Sequence, residues 1–217
     1  PSTGTARSIY CTVTSLPDVE LKGTSSRNPL ILNQHSVAQD FDGYEKSYFI
    51  GGSAAWGNMR GMITPSKDNL KRYGEGDYSS PRADVWGISD LHLFEEANSI
   101  LKTQDEPFFA IVQTSGNHRP YNIPDDNRGF IKKEIRRKEA KENGFRSSDE
   151  YNAFRFMDHS VGFFMEQAKK EKYFDNTIFV FFGDHGVSAT AKHISAAKQQ
   201  LYIHTLNVPF IIYSPKL

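Results

Sequence analysis

The sequence predicts a three-layer α/β/α sandwich around a mostly parallel central sheet. Three observations carry that reading. Four short runs rich in aromatic and β-branched residues are almost continuously apolar, the pattern of strands covered on both faces. Segments with helical periodicity alternate with them, the order that builds a parallel sheet with helices on either side. A chain of 217 residues with 38% hydrophobic content is long enough for one such domain.

In chain order, Ser2-Thr3-Gly4-Thr5-Ala6-Arg7-Ser8 is a helix start with several possible N-caps. The strand runs are residues 46 to 50, 107 to 114, 177 to 182 and 208 to 213, each ending in a turn or a polar cluster. Residues 90 to 101 read as a helix capped by Ser89 or Asp90. A second helix carries Phe154, Met157, Val161, Phe164 and Ala168 at steps of three and four, with Ser147, Ser148 and Asp149 as caps. Residues 18 to 44 and 64 to 87 mix Gly, Ser and charged residues without periodicity and read as long surface excursions. The run from Arg128 to Glu142 holds seven basic and three acidic residues, with Glu134 and Lys138 at favourable helical spacing. It reads as a solvated helix, with contact to anionic lipid headgroups as the functional alternative.

Composition removes several function classes. Lys and Arg number 26 against 26 Asp and Glu, and a nucleic-acid binder needs a basic surplus over its footprint, so no nucleic-acid partner is expected. The longest strictly apolar stretches, such as Ile178-Phe179-Val180-Phe181-Phe182, fall far short of the roughly 20 residues that cross a bilayer. Cys11 is the single cysteine, which leaves neither an internal disulfide nor a cysteine zinc site. Pro1 opens the chain with neither an initiator Met nor a charged-then-apolar leader, which predicts a cropped domain.

In a parallel sheet ligands bind beyond the carboxyl ends of the strands, so the loops after the first three runs matter most. The sharpest is Phe181-Phe182-Gly183-Asp184-His185-Gly186, where an Asp-His pair between glycines can converge on one cation or can be ordinary Gly-Asp turn chemistry. In Ser115-Gly116-Asn117-His118-Arg119-Pro120-Tyr121, the side chains of Asn117, His118 and Arg119 are donors suited to an anionic oxygen; the alternative is a polar, self-capped loop. In Gly51-Gly52-Ser53-Ala54-Ala55-Trp56-Gly57-Asn58-Met59-Arg60-Gly61, small residues permit close backbone approach, and Trp56 and Arg60 offer a stacking face and a cation, unless Trp56 is simply core. A hydroxyl of the amino-terminal run becomes a nucleophile only if activated, and a cation is one way to do that.

Together these four segments resemble the alkaline phosphatase and sulfatase superfamily, and within it the lipoteichoic acid synthase and phosphoglycerol transferase branch. Phe182-Gly183-Asp184-His185 is similar to the family's metal-binding strand end, Ser115-Gly116-Asn117-His118 with Pro120-Tyr121 to its substrate-contacting histidine loop, and Asn58-Met59-Arg60-Gly61 to its headgroup segment. Gly4-Thr5-Ala6-Arg7 is similar to the threonine nucleophile turn.

The resemblance implies a two-step reaction. Thr5 attacks the phosphorus of a phospholipid headgroup, such as that of phosphatidylglycerol, and the phospho-threonine passes to a glycan or glycolipid acceptor, or to water. It further implies that Thr5, Asp184 and His185 hold one divalent cation, manganese before magnesium and zinc least, and that His118 and Arg60, as two positively charged donors, contact the phosphoryl oxygens or headgroup with Trp56, Asn58 and Asn117. The family's remaining acidic ligand lies on a strand upstream of the nucleophile, and a smaller subdomain comes after the last strand. Residues 1–217 are therefore expected to be a partial catalytic domain, extracytoplasmic and tethered to the membrane by preceding spans, with Trp56 and residues 64 to 87 as walls of a lipid entry groove. A hydrolase of the same fold, either phosphodiesterase or sulfatase-like, and a silent glycan- or lipid-binding domain are the alternatives. Cys11-Thr12-Val13-Thr14-Ser15 lacks the C/S-x-P-x-R pattern of a true sulfatase. His193 could reach the site from the loop after His185; His92, His159 and His204 carry no assignment.

Overall fold

The computed structural model of the chain describes residues 4–17, 34–56, 61, 69–187, 189 and 191–216. Helix α1 (Thr5–Thr14) precedes strands β1 (Glu45–Ile50), β2 (Lys71–Tyr73), β3 (Arg82–Asp84) and β4 (Gly87–Ile88). Helix α2 (Asp90–Leu101) and strand β5 (Phe108–Gln113) come next, then a short α3 (Arg137–Glu142) and the long α4 (Ser148–Ala168). Strand β6 (Phe179–Phe182), a short α5 (Ala196–Gln200) and β7 (Phe210–Tyr213) complete the order.

β1 is the middle strand of a parallel sheet in the order β2-β1-β5, with Glu45 opposite Phe108 and Ile50 opposite Gln113. All four apolar runs are strands, but β6 and β7 pair antiparallel, Phe179 opposite Tyr213, so the parallel pairing belongs to β2-β1-β5. β5 and β6 line one cleft, and the loops at their carboxyl ends open into it.

Strand alternation sorts the core into two layers. On one face Phe49 packs with Leu93, Phe94 and Ala97 of α2 and Phe164 and Ala168 of α4, and Phe108, Ala110 and Val112 of β5 lie against them. On the other, Tyr48 and Ile50 pack with Tyr10 of α1 and Leu70, joined by Phe109 and Ile111. Helices therefore cover both faces of the sheet, as expected. Ser89 caps α2, its hydroxyl accepting the His92 N–H at 3.2 Å, and Ser147 caps α4 through the Glu150 N–H at 3.1 Å.

Three expectations are corrected. The buried stripe of α4 runs through Ala153, Phe156, Ser160, Phe164 and Ala168, while Phe154 is 57% exposed on the cleft rim. Part of the excursion at 64 to 87 is sheet: Lys71, Arg72 and Tyr73 pair with Ser47, Tyr48 and Phe49. A short edge strand with charged side chains has no apolar signature to read. The basic run is helical only from Arg137; Arg128 and Gly129 have positive φ, and the stretch after them is pinned to α4, where Asn152 accepts the Lys133 N–H at 2.8 Å and Arg155 donates to the Ile131 carbonyl at 3.0 Å. Glu134 and Lys138 consequently do not share a helix.

Candidate active site

Thr5 is the first residue of α1, and its hydroxyl oxygen lies 3.5 Å from Nε2 of His185, 180 positions further along the chain. One turn on, the Ser8 hydroxyl donates to the Asp184 carbonyl at 2.6 Å, fastening the end of β6 to α1. The His185 Nδ1–H donates to the Gly186 carbonyl at 2.9 Å. A carbonyl only accepts, so the proton sits on Nδ1 and Nε2 keeps its lone pair toward Thr5. Asp184 Oδ2 lies 3.5 Å from that same Nε2, and Asp184 Oδ1 accepts the His185 N–H at 2.8 Å.

A hydroxyl oxygen and a carboxylate oxygen thus each lie 3.5 Å from one imidazole nitrogen. Atoms bound to one cation at about 2.1 Å stand roughly 3 to 3.5 Å apart, which matches both 3.5 Å spacings about Nε2. The Nδ1–H to carbonyl bond also orients His185 as ligating histidines are oriented. The three side chains fit part of a cation shell. Among the described residues no group of three or more His, Cys, Asp and Glu could hold a metal.

The second wall is the loop after β5. The His118 ring lies on the Trp86 indole with centroids 4.7 Å apart, and Trp86 meets Trp56 edge-on at 5.9 Å. Burial holds the His118 pKa below its ordinary 6.5; Asp184 and Asp84 pull it up and His185 pushes it down. At neutral pH the ring therefore carries less positive charge than an ordinary histidine and can serve as a hydrogen-bond donor or acceptor. Asn117 is exposed and lines the same cleft. The Tyr121 hydroxyl donates to Glu150 Oε1 at 3.1 Å, tying the loop's far end to α4.

Trp56 is 42% exposed, not core, and together with Glu75, Arg82 and Trp86 it lines the cleft, as expected of a groove wall. Asn58 and Arg60 lie outside the described residues. Gly51 and Gly52 do serve close approach, but to the chain itself: a Cβ on Gly52 would strike the Trp86 carbonyl, and the Ile88 N–H donates to the Gly51 carbonyl at 3.0 Å. His193 is exposed and lines the cleft; His92 is buried in α2. Asp84, Trp86 and Asp90 went unread as site residues, although the spacing Asp84-Val85-Trp86-Gly87-Ile88-Ser89-Asp90 just before a helix was the available signal.

Among curated proteins the chain is similar to the lipoteichoic acid synthase-like YvgJ of Bacillus subtilis, 29% identical over 142 residues, which are 60% of this chain and 21% of that protein. Among solved structures, the lipoteichoic acid synthase LtaP of Listeria monocytogenes superposes with TM-score 0.77 at 18% identity over all of this chain and 54% of that one. The Streptococcus pyogenes phosphoglycerol transferase GacH, solved with sn-glycerol-1-phosphate, gives 0.63 at 19% over 97% of this chain and 55% of that one. The periplasmic domain of EcEptC from Escherichia coli, a zinc complex, gives 0.59 at 18% over 98% of this chain and 59% of that one. The chain thus spans about half of these solved chains and a smaller part of YvgJ. Among the described residues no helix is long and apolar enough to cross a membrane. A family model described as Sulfatase matches residues 1–217, and on that whole-length match the chain belongs to the Sulfatase family of the alkaline phosphatase superfamily, related to the lipoteichoic acid synthases.

Proposed function

We propose that this chain is the catalytic region of a metal-dependent transferase that moves phosphoglycerol, or a related headgroup, from a phospholipid such as phosphatidylglycerol to a surface glycan or glycolipid. One observation carries the reading: the Thr5 hydroxyl faces Nε2 of His185 at 3.5 Å with Asp184 alongside. In this reading Thr5, Asp184 and His185 hold a divalent cation that lowers the hydroxyl pKa and offsets phosphoryl charge. An oxygen-rich set with a single imidazole suits manganese or magnesium better than a zinc cage, and a further carboxylate from outside the described residues would complete it.

Thr5 gives up its hydroxyl proton as Oγ1 forms the new P–O bond and the bond to the diacylglycerol oxygen breaks; the leaving oxygen takes up a proton, and glycerophospho-threonine remains. An acceptor hydroxyl, giving up its proton, then takes the phosphoglycerol and restores Thr5. His118 donates a hydrogen bond to a phosphoryl oxygen, and Asn117, Trp56, Asn58 and Arg60 border the headgroup. The related synthases and the glycerol phosphate carried by GacH support this substrate class. The reading includes an extracytoplasmic domain tethered at the membrane surface, in keeping with the periplasmic domain of EcEptC, with residues 1–217 as one part of the catalytic unit.

Incubating the full-length protein with phosphatidylglycerol labelled in the glycerol headgroup tests the proposal. Diacylglycerol with labelled polymer is expected. Diacylglycerol with free labelled glycerol phosphate would replace the transferase by a hydrolase, and no diacylglycerol would overturn the lipid-donor reading.

A further inference from the structure

Asp90 opens α2 and is 2% exposed, yet the cap of that helix is Ser89. The Asp90 carboxylate reaches into the histidine loop. Its Oδ1 accepts the Ser115 N–H at 2.9 Å and the Gly116 N–H at 3.1 Å, and its Oδ2 accepts the same Gly116 N–H at 2.9 Å. A buried carboxylate is tolerated only when so bonded, and the positive end of α2 helps. A Cβ on Gly116 would collide with Asp90 Oδ2, so glycine is needed for this grip.

His118 comes two residues later and is held by a second element. Trp86 packs against its ring at a 34° tilt, and the Trp86 Nε1–H donates to the Arg119 carbonyl at 2.6 Å. Trp86 is itself held, its N–H donating to Asp84 Oδ1 at 2.8 Å, and its hairpin is seated on Gly51 and Gly52 at the end of β1. The loop is therefore anchored to the central sheet and to α2 immediately before and after the imidazole.

We propose that Asp90 and Trp86 are positioning residues for phosphoryl transfer, Asp90 holding the backbone just before His118 and Trp86 holding its ring and the backbone just after it, so that the imidazole stays near Asp184 and His185 without rearrangement. The inference rests on His118 being the phosphoryl contact of the proposed transferase. Misplacement of such a group by a fraction of an ångström costs rate more than binding.

The test is a double-mutant cycle in the full-length protein, read as diacylglycerol release from phosphatidylglycerol. Asp90→Asn is expected to lower kcat about 10- to 100-fold with KM within about threefold. In a His118→Ala background it should cost less than about twofold more, because a residue acting through His118 has nothing left to position. Equal losses in both backgrounds, or an unchanged kcat in folded Asp90→Asn, would overturn the proposal. If Asp90→Asn does not fold, Trp86→Phe, which keeps a ring but deletes the bond to Arg119, runs the same cycle with the same criteria. If the wild type releases no diacylglycerol, the lipid-donor reading fails while NMR of the His118 Hε1 proton still tests the positioning. Ring-current shift in the wild type that relaxes in Asp90→Asn supports it, and an identical shift in both overturns it.

Discussion

Replacing Asp90 by Asn should change how stability depends on pH, and the structure sets the size of the effect. Burial pushes the Asp90 carboxyl from its ordinary 3.8 up to about 6; the Ser115 and Gly116 amides pull it back, and Asp84 adds to the rise. That displacement corresponds to about 3 kcal/mol. Below pH 3.8 the group is protonated in both folded and unfolded chains. As pH rises, the unfolded chain releases this proton first and the folded chain keeps it to about pH 6, so stability is lost across that window and levels off above it. Other carboxylates titrate too, but subtracting the Asp90→Asn profile from the wild-type profile isolates this one. Urea unfolding between pH 4 and 8 should show wild-type stability falling relative to Asp90→Asn by about 2.5 kcal/mol, roughly 1 to 2.5 M in urea midpoint. A difference that stays constant over that range would refute the reasoning, since the carboxylate would then have to be as well solvated folded as unfolded.

Thr5→Ala should abolish diacylglycerol release while changing stability by less than about 1 kcal/mol, because Gly4 and not Thr5 is the cap residue and the Thr5 hydroxyl faces His185; activity and urea curves measured together check this. Manganese at about 100-fold over its dissociation constant should stabilise the wild type by about 2.7 kcal/mol, a melting shift of several degrees that Asp184→Asn should remove. Phe49→Ala, at a side chain with no exposed surface between β1, α2 and α4, should cost about 3 to 5 kcal/mol in chemical unfolding.

The parts of this molecule that could be read from its sequence are those with local signatures. Apolar runs became β1, β5, β6 and β7, and a serine before a periodic segment capped both long helices. Gly183-Asp184-His185 was conspicuous because glycines bracket two ligand-type side chains straight after a strand. What stayed hidden is what tertiary pairing decides. β2 is three residues of Lys, Arg and Tyr whose only claim to be a strand is the neighbouring β1. Ser8 was one hydroxyl among several until the fold brought it to the Asp184 carbonyl, and Asp90 was a helix start until the loop after β5 brought two amides to it. Phe154 and Phe156 both suit an amphipathic α4, and the layer above the helix, with Phe130 against Phe156, chose the second.

The charges around Thr5 bear on why a cation belongs to the proposed chemistry. Asp184 has a side chain 41% exposed and 3.5 Å from the His185 Nε2 that faces the hydroxyl, and His118, held below its ordinary pKa, brings little positive charge at neutral pH. A phosphodiester seated about 4 Å from that carboxylate would meet between about 1 and 4 kcal/mol of repulsion, depending on how much water screens the pair. The amino terminus of α1 adds a partial positive charge, worth about 0.3 to 1 kcal/mol. Placing a carboxylate next to a nucleophile that must meet an anion is unfavourable without compensating positive charge, which a bound cation supplies. The 3.5 Å spacings about His185 Nε2 leave room for it, and the lone pair fixed by the Gly186 carbonyl is the form of histidine that binds it. The largely uncharged His118 is then free for proton chemistry. As a neutral imidazole it can donate a hydrogen bond to a phosphoryl oxygen and take a proton from an acceptor hydroxyl, and the imidazolium so formed can return that proton to the departing Thr5 oxygen, which suits this loop to the second half of a two-step transfer.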